Sequence, residues 1–160
     1  MVRRIESESI AWIDGYFSAI SRQALVEGAS SISAMLCELE EDDLIGSLKT
    51  LQDSESIEGL VLAEIEFFGI ETLVDGVREF ERFIAEFIDN SLLNQLPEHS
   101  RGNTAKLMTQ DVMEEVFGLC PDIESRVVLY SDCRIGNQSG RYFIIQASVG
   151  YLILIYSKFG

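Results

Sequence analysis

The spacing of apolar residues changes once along the chain, and that change limits the folds open to it. Up to about residue 124 the apolar positions recur three and four apart, as one face of a helix requires. Beyond Asp122 they gather in short blocks rich in β-branched and aromatic residues, the pattern of strands. A chain of 160 residues is long enough for one domain with a substantial core, so both patterns are expected to share one domain over 1–160. The expected fold is α+β: about six helices in an acidic part, 1–124, followed by a three-stranded antiparallel β-meander over 125–160.

Ile10, Ile13, Phe17, Ile20 and Ala24 mark the first helix, with Ser7 or Ser9 as its cap and Gly28 as its stop. Ser30 or Ser31 caps a second, bearing Ile32, Met35, Leu36 and Leu39. A short third carries Leu44, Ile45, Leu48 and Leu51 after Asp42 and Asp43. The fourth runs from Ser56 through Ile57, Leu60, Val61, Ile65 and Phe68 to Gly69. Leu73, Val77, Phe80, Ile84 and Phe87 give the central helix, over about 71–92, its broad aromatic stripe. Pro97 and residues 98–103 read as a loop, and a short last helix holds Met108, Val112, Met113, Val116 and Phe117 before Gly118 and Pro121.

The expected strands are 126–132, 141–147 and 151–157, separated by turn residues at 136–140 and by Gly150. The last is apolar at every other position on both faces. One face is expected to lie under the helices and the other under a second layer or a partner.

Charge is as unevenly placed as structure. The chain has 27 acids against 12 bases, a formal net of −15. Residues 1–124 hold 26 acids and 8 bases, whereas 125–160 hold Asp132 against Arg126, Arg134, Arg141 and Lys158. Such a surface repels phosphate backbones, which argues against direct nucleic-acid binding and for a cationic partner.

Arg3 and Arg4 are followed at once by Glu6 and Glu8, with no apolar signal core behind them. The longest apolar stretch, 142–156, is broken by Gln146, Ser148 and Gly150 and falls short of the about 20 residues a spanning helix needs. Cys37, Cys120 and Cys133 form neither a C-x-x-C pair nor a zinc spacing, and read as buried small hydrophobes in a reducing cytoplasm. No membrane association is expected.

Chemistry leaves little trace. His99 is the only histidine, and the chain holds no G-x-S-x-G, H-E-x-x-H, phosphate-cradling glycine loop or calcium loop. No catalytic residue, metal site or cofactor is expected. The densest feature is Glu38, Glu40, Glu41, Asp42 and Asp43, five acids in six positions, which Glu55 and Glu58 extend onto the next helix. Clustered acids of this kind are either a solvated face that complements the N-terminus of the following helix, or a docking patch that speeds encounter with a basic surface. Asp75–Arg78 and Arg82–Glu86 have the spacing of ordinary surface pairs.

In its small size, acidic helical part, 38–43 acid run and terminal strands, the chain resembles the immunity proteins of bacterial toxin–immunity systems, including contact-dependent growth inhibition. The resemblance implies a cognate basic toxin domain, an RNase or a DNase, whose active site or substrate groove the protein covers, and a monomer when free. Two other classes stay open: a small hydrolase using a carboxylate pair in a cleft, and an adaptor that dimerises through a sheet edge.

Overall fold

The structure, a computed structural model, describes residues 3–23, 30–40, 42–43, 46–47, 50, 66–67, 71–72, 76–91, 97–121, 128–135 and 138–159. Its class is α+β, with three long helices and an antiparallel sheet among the described residues. Four long strands form the sheet: β2 (Ser30–Glu38), β5 (Val128–Ile135), β6 (Gln138–Gln146) and β7 (Tyr151–Phe159). Short strands flank them: β1 (Arg3–Ile5), β3 (Glu66–Phe67) and β4 (Glu71–Thr72). The order is β1-β2-β7-β6-β5-β3, with β4 also on β5.

The helices are α1 (Glu8–Gln23), α2 (Gly76–Ser91) and α3 (Glu98–Leu119). α1 buries Ile10, Ile13, Phe17 and Ile20, the stripe its spacing predicts. α2 drives a row of rings into the sheet. Phe80 and Phe83 meet Phe143 of β6 at 5.4 and 4.9 Å between centroids, and Phe83 and Phe87 meet Tyr156 of β7 at 5.1 and 6.1 Å. Phe87 also meets Phe17 of α1 at 5.9 Å, so both helices share one core. α3 adds Val112, Met113 and Val116, and Arg101 grips Asp89 of α2 through two bonds of 2.8 and 3.1 Å.

About six helices and a three-stranded meander is therefore incorrect, for reasons that differ by segment. The expected second helix is strand β2, paired with β7 from Ser30 to Cys37. Ile32, Ala34 and Leu36 join the core under the helices, while Met35 and Cys37 are buried on the other face. A strand buried on both faces reads as an unbroken apolar run, which spacing alone does not separate from a helix. The expected fourth helix overlaps Glu66–Phe67, which instead pairs with Cys133 and Arg134 of β5; the rest of it lies outside the described residues. The central helix starts at Gly76 and not near 71, because Glu71 and Thr72 pair with β5. Of the expected third helix, Gly46, Ser47 and Thr50 are helical and the rest is outside the described residues.

The loop expected at 98–103 is the first turn and a half of α3, which begins directly after Pro97. Proline suits a helix start, where its missing N–H costs nothing. The polar residues that mimicked a loop lie on the outer part of this helix. Thr104 and Thr109 turn their hydroxyls back onto the carbonyls of Ser100 and Ala105. Phe117, one of the apolar residues that mark this helix in the sequence, is exposed. Arg82 leans on Glu79 at 3.4 Å, so the expected Arg82–Glu86 pairing gives way to the i,i+3 neighbour.

β5, β6 and β7 form the meander expected at the C-terminus, each shifted toward longer bounds. Pairing of Ile135 with Gln138 leaves only two residues between β5 and β6. Ile144, Ile153 and Ile155, on the face away from the helices, are as buried as Leu152 and Leu154 beneath them. The chain thus covers both faces of its central strands.

Cys37 and Cys120 are buried thiols outside any disulfide, and burial pushes the Cys120 thiol up to about 12. Both sulfurs are shut off from a reagent in solution, so neither should react in the native protein at neutral pH. Labelling with a thiol reagent followed by peptide mass spectrometry should find both unmodified until denaturant is added. Rapid labelling of either in the native state would contradict the packing.

Candidate partner interface

β1 is an end strand of the sheet and carries a bridge between the acid run and a base. Arg3 lies opposite Glu38 in the β1–β2 register and donates Nε and Nη2 to its carboxylate at 2.8 and 3.1 Å. This hydrogen bond holds the Glu38 carboxyl below the usual carboxylate range. The pair is exposed, so it fixes the position of β1 more than it stabilises the fold.

After Glu38 the chain turns. Asp43 donates its N–H to the Glu40 carbonyl at 3.1 Å, and Glu40 donates its own to Ser47 Oγ at 2.9 Å. Asp43 then caps the helical turn that follows: Oδ1 accepts the Gly46 N–H at 3.0 Å and its carbonyl accepts that of Ser47 at 3.0 Å. A Cβ at Gly46 would run into this carboxylate, so the cap needs glycine there. Glu38, Glu40, Asp42 and Asp43 thus meet at one end of β2, with Glu40, Asp42 and Asp43 exposed. Glu38 and Asp43 already have structural work. Glu41, Glu55 and Glu58 lie outside the described residues.

A groove of about 860 Å³ opens farther along the same edge, between α1, β2 and the segment joining β1 to α1. Its acidic wall is Glu6, Glu8 and Asp14, with Arg4 the one base in the lining. The groove therefore continues the acidity of the 38–43 run along the β1–β2 side. Sequence reasoning missed it. Glu6 and Glu8 are visible there only as a break in a signal peptide, and Asp14 only as a polar residue beside the buried stripe of α1.

A second groove, about 410 Å³, lies between α2 and α3, where Arg78, Arg82 and Lys106 stand around Ala85 and Gly102. The sign of its lining differs, so a cationic partner is steered toward the β1–β2 side and away from this one. His99 is exposed on the first turn of α3. Among the described residues no three of His, Cys, Asp and Glu gather as a metal-ligand set, and no helix is long and apolar enough to cross a membrane. No protein-family model matches the chain, and no curated protein matches its sequence.

Proposed function

We propose that the protein is a stoichiometric antagonist of a cationic protein, of the immunity type, that covers the phosphate-binding groove of a basic nuclease toxin. The supporting observation is the exposed acidity along one side of the molecule, where the turn at Glu40, Asp42 and Asp43 and the Glu6–Glu8 wall adjoin the β1–β2 edge in a chain of net charge −15. Like charges so placed oppose folding and earn their keep where they meet an opposite field. An acidic face can occupy a groove shaped for phosphates and displace nucleic acid with no chemistry of its own.

The test mixes the protein with a candidate basic nuclease domain and follows nucleic-acid cleavage across a titration. Cleavage should stop at one-to-one stoichiometry. The double reversal Glu40→Lys, Asp42→Lys should slow association at least roughly tenfold at low salt and flatten its salt dependence, while the melting temperature holds or rises. Cleavage continuing at molar excess, with no complex on a sizing column, would overturn the reading and favour the carboxylate hydrolase.

A further inference from the structure

The outer face of α1 lacks the charge that α2 carries. On α2 the exposed positions include Arg78, Glu79, Glu81, Arg82 and Glu86, as is ordinary for a helix at a surface. On α1, past Glu8 in the first turn, they are Ala11, Trp12, Gly15 and Ala19.

Trp12 is the one tryptophan of the chain and is 40% exposed. It is also held in place. Its ring stacks on Tyr16 with centroids 4.9 Å apart and planes 21° from parallel, and Tyr16 in turn packs against the core. An indole that is fixed yet open to solvent loses little freedom when a partner covers it, and tryptophan is among the most frequent anchors of protein interfaces. A Cβ at Gly15 would meet nothing within 4 Å, so the surface beside the ring is low and open.

Acids frame this ring. Glu8 precedes Trp12 by one helical turn and lines the acidic groove, as does Ala11. On α3, Asp111 stands near Tyr16: burial first and that carboxylate second push the Tyr16 hydroxyl up. The one base of α1, Arg22, is at the other end of the helix.

We propose that Trp12 anchors the partner interface by receiving an arginine of the cationic partner, whose guanidinium lies on the open face of the indole with its charge toward Glu8 and Asp111. This deepens the antagonist reading and rests on its cationic partner. Guanidinium is the cation that suits this surface, because its flat face stacks on a ring while its edge donates to carboxylates. A compact, strongly hydrated ammonium does both less well. The acidic groove draws the partner in, and Trp12 supplies a contact that remains once salt has screened the longer-range attraction. A second copy of this chain would bring net charge −15 to a face already framed by acids, so charge selects a basic partner over a twin.

Trp12 is its own reporter, since no other tryptophan emits. Titrating the full chain with a synthetic peptide alternating arginine and glycine should change the tryptophan emission. Calorimetry should find that peptide bound about two- to fivefold more tightly than a lysine–glycine peptide of equal charge. In Trp12→Leu the preference for arginine should vanish, while the binding that charge alone gives remains and the melting temperature holds. Glu8→Gln and Asp111→Asn should each weaken the arginine peptide in a chain that still melts cooperatively. Emission unchanged at saturating arginine peptide, or a preference for arginine that survives Trp12→Leu, overturns the proposal. If a basic nuclease domain is blocked as tightly by Trp12→Leu as by the native chain, docking at Trp12 fails and the antagonist reading stands. If the arginine peptide binds at Trp12 but no basic nuclease is blocked, docking at Trp12 stands and the antagonist reading fails.

Discussion

Truncating Phe80 to alanine lowers the melting temperature by about 6–20 °C. The ring is fully buried on α2 and packs edge-on against Phe143 of β6 at 5.4 Å. Removing a buried Phe typically costs about 3–5 kcal/mol, and in a chain of this size each kcal/mol moves the midpoint by about 2–4 °C. Phe83 stands against the same Phe143, so the cavity opens in the middle of the helix–sheet contact. Leu107→Ala is the control. Leu107 is 62% exposed on α3, and its loss should change stability by no more than about 0.5 kcal/mol. Calorimetry on both variants checks the ranking; equal midpoints would mean that α2 does not face the sheet as described.

Alanine at Gly150 should destabilise the protein by at least about 1–3 kcal/mol, while alanine at Gly118 should stabilise it by about 0.5–1 kcal/mol. The sign differs because the two glycines do different things. Gly150 has φ +73°, a conformation L side chains rarely adopt, and a Cβ there would stand 2.5 Å from the Cys37 carbonyl oxygen. That oxygen belongs to the backbone of β2, so relief would require moving a paired strand. Gly118 lies within α3 with open space around it, where glycine contributes only excess freedom to the unfolded chain. Denaturant melts of the two variants should move in opposite directions; a shift of the same sign would overturn the assignment of strain to the turn between β6 and β7.

What the sequence reveals depends on how local the cause is. Ile10, Ile13, Phe17 and Ile20 announce α1 because their spacing is set within the helix itself, and all four are buried. The C-terminal strands are legible for a similar reason: each pairs with its neighbour across a turn. β2 hides because its partner is distant. Ile32, Met35 and Leu36 suit a helix until Ala34 and Cys37, small residues with little periodic weight, prove to complete the two buried faces of a strand. At the interface the acid run is plain in the sequence. Its division of labour is not, because the Arg3 bond to Glu38 depends on β1 lying beside β2. The Asp14–Ala34 bond is still less visible, since a helix side chain meets a strand amide only after α1 has packed.

The place of β7 between β2 and β6 governs the order in which this molecule can assemble. β2 leaves the ribosome long before its ladder partner, Tyr151 to Lys158. Until those residues emerge, Met35 and Cys37 have only half a sheet. Pairings between such distant parts of a chain close slowly, because a long loop must be ordered before any contact compensates it. A nascent chain of this protein therefore carries an open, apolar strand until β7 emerges, the period in which a chaperone would find it.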